Sequence, residues 1–209
     1  MIAEAFFRWQ VLTRGEPYLA RFSAHQSELL AELAGRRVAI VGNARSLGDG
    51  TLGAAIDDHD LVIRMHRAPL PSPQSHGSRT DWLALGVPVE QEVILDRAPK
   101  RLLWMARKRK RLSRRIATAP GFYRHPPADW RALAAELGAP PSTGIMLIDL
   151  VSRSGAEAID LFGFDFFASL SMTGRRTADQ VPHDFDAERR WVEALMARDG
   201  RVVLHRPSD

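Results

Sequence analysis

Three short segments hold residues whose types and spacing could do chemistry. The first is Val41-Gly42-Asn43-Ala44-Arg45-Ser46-Leu47-Gly48-Asp49-Gly50, a glycine-rich turn directly after an apolar run. Glycines let a backbone approach a ligand closely, and N–H groups in such a turn can hold an anion at the carboxyl end of a parallel strand. The turn is neither GxGxxG nor a Walker loop, because no Gly-Lys-Ser/Thr follows, and a tight turn that simply needs glycine explains it as well. The second is Pro141-Ser142-Thr143-Gly144 ahead of an apolar stretch. Ser142 or Thr143 can cap a helix there, and the same helix N-terminus can hold a phosphate or carboxylate. The third is His183, after Pro182, with Glu188 five residues on. A histidine at a helix entrance, with a carboxylate to fix its tautomer, suits a general base near neutral pH. The plain alternative is an exposed histidine without a task, and Asp184 and Asp186 favour the helix dipole in either case.

A fourth feature is charge. Residues 100–115 hold nine Lys and Arg (Lys100, Arg101, Arg107, Lys108, Arg109, Lys110, Arg111, Arg114 and Arg115) among Leu102, Leu103, Trp104, Met105 and Leu112. Such a segment could sit on anionic lipid or hold a polyanion, or could be a solvated cationic connection. Two constellations look chemical and are set aside. Asp57-Asp58-His59-Asp60 has metal-ligand residue types, but acids ahead of a buried strand usually mark a turn, and no second ligand set accompanies it. Ser142 has no nucleophile elbow around it, so a hydrolase triad is unsupported.

The elements that must position these residues follow from hydrophobic runs and punctuation. Helices are expected at 23–35 with Ser23 as N-cap and Gly35 as stop, at 129–137 ending at Gly138, at 145–153 and at 184–198. Strands are expected at 37–41, 61–65, 81–85, 102–105, 158–162 and 201–204. Short apolar runs alternating with helices indicate an α/β domain with a largely parallel sheet. The least ordered stretches should be 68–78 and 168–182.

The chain has 209 residues, which favours a single domain over 1–209. It is 45% hydrophobic and 26% charged, ordinary for a globular domain. It has no cysteine, which excludes disulfides, thiolate metal sites and cysteine nucleophiles. No apolar run approaches the roughly 20 residues of a membrane span, and Glu4 and Arg8 interrupt the N-terminal apolar stretch, so no signal peptide is read there. A cytoplasmic location is the expectation. The net charge of +4 permits an anionic partner without demanding one.

Taken in order, these segments resemble the sialyltransferases of glycosyltransferase family 29. Arg36 to Pro69 is similar to the family's large sialylmotif: the strand, the Val-Gly-Asn turn, Ile-Asp-x-His-Asp at 56–60 and Arg-Met-x-x-Ala-Pro at 64–69. Pro141 to Asp165 is similar to the small sialylmotif, and the His-x4-Glu from His183 to the very small one. His76 to Asp81 resembles the family's Gly-x-x-Thr stretch. The resemblance implies a Rossmann-like α/β/α sandwich of the modified GT-A type. It implies an inverting, metal-independent transfer of sialic acid, or a related acidic sugar such as Kdo, from a CMP-sugar to a glycan or glycolipid hydroxyl, with no cofactor. It places the donor on Gly42, Asn43, Ala44, His66, Ser142, Thr143 and Gly144, Asn43 toward the phosphate and 142–144 toward cytidine and ribose. It makes His183 the base, with Glu188 assigned beside it as orienting or supporting.

The sequence departs from the family in four places. His66 stands where the family usually has Asn. Val38 and about Ala156 stand where animal members have their motif-joining disulfide. The third motif is not evident between 168 and 182, where Arg175 and Arg176 could supply charge instead. The transmembrane anchor of animal members is not seen, and residues 100–115 could hold the protein peripherally on an anionic inner-membrane surface or meet an acidic acceptor. A non-catalytic CMP- or glycan-binding relative is the alternative, favoured by His66 and the missing motif. A nucleic-acid partner is not expected, since the basic run lacks aromatic interleaving and any nucleic-acid motif.

Overall fold

In a computed structural model, residues 2–166, 172 and 182–206 are described. The strands are β1 (Arg37–Val41), β2 (Leu61–Met65), β3 (Trp82–Leu85), β4 (Arg101–Trp104), β5 (Tyr123–Arg124), β6 (Ala158–Phe162) and β7 (Val202–His205). The helices are α1 (Ile2–Arg14), α2 (Glu16–Ala20), α3 (Gln26–Leu33), α4 (Gly53–Asp57), α5 (Pro73–His76), α6 (Gln91–Arg97), α7 (Arg114–Ala117), α8 (Pro127–Leu137), α9 (Thr143–Ser152) and α10 (Phe185–Arg198). Short 3-10 turns follow β1 (Arg45–Asp49) and precede α7 (Arg109–Arg111).

The strands form one sheet in the order β5-β4-β3-β2-β1-β6-β7, with every neighbouring pair parallel. Parallel strands must be joined by crossovers, which lay helices on both faces. The period-2 alternation within β1 makes this concrete. Val38 and Ile40 join the core under α3, α8, α9 and α10, with Leu29, Leu133, Leu147 and Val192. Ala39 and Val41 face the other way and pack with Leu47, Ile56 and Phe162. Farther along that second face, Phe7 of α1, Leu19 of α2 and Ile116 of α7 close over Leu83, Leu102 and Trp104. The result is the expected α/β/α arrangement.

Most expected elements are present with ends moved by a few residues. Ser23 does not cap α3, which starts at Gln26 with His25 at its N-cap. The Ser23 hydroxyl instead accepts the Arg124 N–H at 2.9 Å and donates to the Ala24 carbonyl. β3 begins at Trp82, one residue later than expected, and the Asp81 carboxylate before it accepts the Val62 N–H at 3.0 Å. The stretch 68–78, expected to be poorly ordered, contains α5, capped by the Ser72 hydroxyl. Helices α1, α2, α4, α6 and α7 and the two-residue β5 are additions to the sequence expectations. The expectations for 168–182, Arg175 and Arg176 included, fall almost entirely outside the described residues.

Candidate functional site

Strand order reverses at β1, whose neighbours are β2 and β6. In a doubly wound sheet, the crevice outside the carboxyl ends at that reversal is where ligands bind. The turns after β1, β2, β3 and β6 all open there, and the N-terminus of α9 reaches into the same region.

The β1 and β6 turns are locked to each other. Gly42 N–H donates to the Phe162 carbonyl at 2.7 Å, and Ala44 N–H to the Gly163 carbonyl at 3.1 Å. A Cβ on Gly42 would lie 2.2 Å from the Gly163 carbonyl oxygen. This corrects the expectation of open amides: Gly42 and Ala44 spend their N–H groups inside the protein, and Gly42 is glycine because two backbones meet there. Asn43 is better placed. Its side-chain amide donates to the Met65 carbonyl at 3.3 Å, which ties the β1 turn to the end of β2 while leaving the Oδ1 acceptor and a second N–H for other partners.

His66 follows β2 with φ 57°, a left-handed conformation that is uncommon for a side chain of this size. Its own N–H is held by the Ala84 carbonyl at 2.8 Å. Burial, and then the charge of neighbouring His183, pushes the imidazole down to about 4, so it is neutral at physiological pH. Its Nδ1 is buried with no hydrogen-bond partner among the described residues. Gly86, at the end of β3, explains how the ring fits. A Cβ there would sit 3.0 Å from His66 Cε1 and 2.3 Å from the Thr143 hydroxyl oxygen. Gly86 thus lets His66 and Thr143 converge over the sheet. The sequence reading passed over it, although a glycine at the carboxyl end of an expected strand was a usable signal.

The remaining residues meet where α9 and α10 begin. The Ser142 hydroxyl caps α9 by accepting the Ile145 N–H at 3.3 Å. Glu188, buried on the first turns of α10, accepts both the Ser142 N–H and the Ser142 hydroxyl, each at 2.7 Å. Glu188 is therefore a clamp between the two helix entrances and works through Ser142. Gly144 is kept small by Phe164, whose ring carbon would lie 2.9 Å from an added Cβ. Asp184 caps α10 through the Ala187 N–H at 2.8 Å. Next to it, His183 Nδ1 lies 2.8 Å from the Pro140 carbonyl oxygen. A carbonyl only accepts, so Nδ1 carries the hydrogen of the neutral ring and Nε2 carries the lone pair. The orienting group for this histidine is thus Pro140, while Glu188 is engaged with Ser142.

Burial pushes Glu188 up to about 7, against the lowering effect of its two Ser142 hydrogen bonds. Between the ordinary value near 4.5 and about 7, the folded protein keeps a proton that the unfolded chain releases, so stability falls as pH rises through that window. Glu188→Gln should flatten this dependence, worth up to about 3 kcal/mol. Urea unfolding at about pH 5 and about pH 7.5 measures it; equal slopes in wild type and variant would contradict the assignment.

The acidic segment 57–60 is structural throughout. Asp57 holds the Ser78 and Arg79 amides, Asp58 pairs with Arg37 at 3.2 Å, and Asp60 accepts the Arg37 N–H at 2.8 Å. His59 Nε2 lies 3.0 Å from Asp160, whose other oxygen meets His205. The four side chains turn to partners of their own, Asp58 and Asp60 sharing Arg37, rather than to one common centre. Arg64 and Arg79 then tie the 76–79 stretch to β2, through the Arg79 and His76 carbonyls and through Asp81. The basic run is also partly internal. Arg101 is buried in β4 between Glu28 and Glu32, Arg107 lies over the Trp130 ring at 4.7 Å, and Arg115 donates to the Val89 carbonyl. A concavity of about 420 Å3 lined by Arg101, Glu28 and Lys100 lies at the opposite, amino edge of the sheet, away from this site.

Comparison with known proteins gives these features a context. Residues 7–85 match the model of glycosyltransferase family 29 (sialyltransferase), a stretch that includes β1, β2, β3, Asn43 and His66 and stops before α9. A CMP-N-acetylneuraminate-beta-galactosamide-alpha-2,3-sialyltransferase 1 from Gallus gallus is 33% identical over 94 residues, 38% of this chain and 28% of that protein. Its namesake from Mus musculus is 48% identical over 46 residues, 22% and 14% of the two chains. The matches therefore span under a third of these relatives. Among solved structures, a mammalian sialyltransferase in complex with Gal-beta-1-3GalNAc-ortho-nitrophenol aligns over 96% of this chain and 85% of its own, with TM-score 0.55 and 21% identity. The sialyltransferase CstII from Campylobacter jejuni in complex with CMP-3FNeuAc aligns over 82% of each chain, with TM-score 0.59 and 12% identity. The fold is that of these enzymes, and the resemblance of the sequence to family 29 is shown over residues 7–85.

Proposed function

We propose, from the resemblance to glycosyltransferase family 29, that this chain transfers a sialyl group or a related acidic sugar from its CMP form to the hydroxyl of a glycan or glycolipid. The observation that carries the reading is the His183–Pro140 contact, which presents an imidazole acceptor beside the entrance of α9. His183 Nε2 takes the proton of the acceptor hydroxyl as its oxygen attacks the anomeric carbon. The bond from that carbon to the phosphate oxygen breaks in the same displacement, CMP leaves with the electron pair, and the configuration inverts. The N-terminus of α9 offers positive dipole and the Thr143 hydroxyl to the CMP moiety, with Asn43 toward its phosphate. Neutral His66, with its unpartnered Nδ1, is a further hydrogen-bonding group for the donor. No step in this scheme needs a metal ion, because fixed dipoles and donors stabilise the leaving phosphate.

Isothermal titration tests the donor site directly. CMP should bind in the presence of EDTA, with UMP and GMP at least about tenfold weaker, since a site shaped to hydrogen-bond one base leaves buried polar groups unpaired with another. Equal affinity for the three nucleotides, or none for CMP, would overturn the donor assignment.

A further inference from the structure

Asp160, in the middle of β6, is approached by two imidazoles. His59, in the turn between α4 and β2, brings Nε2 to one carboxylate oxygen at 3.0 Å. His205, at the end of β7, brings Nε2 to the other at 2.5 Å. Phe162, the next side chain on that face of β6, has its ring nearly perpendicular to His59 at 5.6 Å and stacked on His205 at 4.5 Å. His59 is buried and His205 partly exposed.

Counting hydrogens shows what this array requires. His59 Nδ1 lies 2.8 Å from the Ala55 carbonyl oxygen, so one ring nitrogen faces a carbonyl and the other a carboxylate. Both groups only accept. A neutral imidazole has one hydrogen, and whichever nitrogen kept it, the other would set a lone pair against an oxygen. Two hydrogens satisfy both contacts, so the geometry is that of an imidazolium clasped by a carboxylate and a carbonyl. His205 needs only its Nε2 hydrogen to complete the array. Burial opposes charge on both His59 and Asp160, yet the hydrogen bonds outweigh it, holding His59 above its ordinary 6.5 and Asp160 below its ordinary 3.8. Of the other charges nearby, Arg37 on β1 opposes the imidazolium and is paired with Asp58, while Arg79 reaches the main-chain carbonyl of His59 and the Asp81 carboxylate.

We propose that His59, Asp160 and His205 form a proton-dependent latch, closed while His59 is an imidazolium, that holds the edge strand β7 and the α4–β2 turn onto β6. Among the described residues β7 pairs with β6 alone, so it is the least supported of the elements the array joins. When His59 loses its proton, Asp160 loses its cation and one His59 contact becomes repulsive, and β7 opens locally. The sign follows from the raised value. The folded protein holds a proton that the unfolded chain releases, so the latch contributes fully below the ordinary 6.5 and is lost as pH rises through the folded value. Each pH unit between the two values is worth about tenfold in the folding equilibrium. The latch stands independently of the transfer chemistry.

The test is a pH titration by NMR of the full chain with nitrogen-15-labelled histidine, the His59 signals being assigned by their absence in His59→Gln. At a pH of about 6.5 the unfolded chain's histidines in urea are half neutral. In the folded protein His59 should there carry hydrogen on both ring nitrogens, with a midpoint above that of the unfolded chain. Asp160→Asn, which keeps the shape and removes the charge, should bring that midpoint down to or below the unfolded one. Amide exchange corrected for intrinsic rates should show β7 losing protection at least about threefold more than β2 between about pH 6 and about pH 8.5. Glu188→Gln serves as the background for the exchange, so that the other buried proton takes no part. His59→Gln, which has nothing to titrate, should abolish the difference between the strands, and it carries the test should Asp160→Asn not fold. A His59 midpoint at or below that of the unfolded chain, a midpoint unmoved by Asp160→Asn, equal loss of protection in β2 and β7, or a difference that survives in His59→Gln would each overturn the proposal.

Discussion

His183→Ala is expected to abolish most transfer, with kcat falling about 10²–10⁴-fold, the usual range for losing a positioned general base. CMP affinity should stay within about twofold, because no donor contact is assigned to this ring. The split follows from the local structure. His183 precedes the Asp184 cap of α10, and its Nδ1 is held by Pro140, so alanine removes the acceptor nitrogen while leaving both helix entrances built. Glu188 and Ser142 continue to clamp those entrances together. Loss of CMP binding together with turnover would mean that the histidine supports the donor site. Unchanged turnover would assign the proton to another group.

Gly42→Ala should unfold or grossly destabilise the protein, by about 3 kcal/mol or more, although the change is a single methyl. The added carbon would lie 2.2 Å from the Gly163 carbonyl oxygen and 3.3 Å from the Phe164 ring. The first neighbour is backbone, which cannot swing away. Relief would require β1 and β6 to part, and this is an interior pair of the sheet, with Arg37 to Val41 registered on Ala158 to Phe162. Chemical unfolding of Gly42→Ala, set beside Gly35→Ala, provides the contrast. Gly35 has a left-handed φ of 68°, unlike Gly42, but no atom lies within 4 Å of its added carbon. Its variant should lose only the smaller cost of backbone strain, about 1 kcal/mol. Equal losses at the two positions would show that close approach is not why residue 42 is glycine.

The contrast at Gly42 also shows what could be read in the sequence. β1, β2 and β6 were legible because parallel central strands are buried on both faces and leave largely apolar runs, broken only by Arg64 in β2 and Asp160 in β6 after the leading Arg37 of β1. α9 was legible from its Ser-Thr-Gly entrance and apolar body. β5 was not, being two residues long and held by its neighbour β4. Arg101 reads as part of a surface cation cluster, since residue type alone says exposed; its burial depends on Glu28 and Glu32, some seventy positions away.

The site divides in the same manner. Residue types and order brought forward His183, Asn43 and the 142–144 turn, the family resemblance added His66, and the fold gathers these at the reversal in strand order. The partners that give them their roles come from afar. Pro140 is 43 positions from His183, and Ser142 is 46 from Glu188. Spacing within a helix suggested that Glu188 would hold His183; the tertiary arrangement gives that task to a backbone carbonyl. The open amides expected at Gly42 and Ala44 were also a local reading, overruled when β6 arrived to take their hydrogens.

The central claim is that this site moves an acidic sugar from CMP to a hydroxyl with inversion. Its most direct test is proton NMR of the protein incubated with CMP-sialic acid and a galactoside in the presence of EDTA. The account predicts release of CMP together with a sialoside whose anomeric configuration is opposite to that of the donor. CMP binding without any sialoside, or a product that retains the donor configuration, would contradict it.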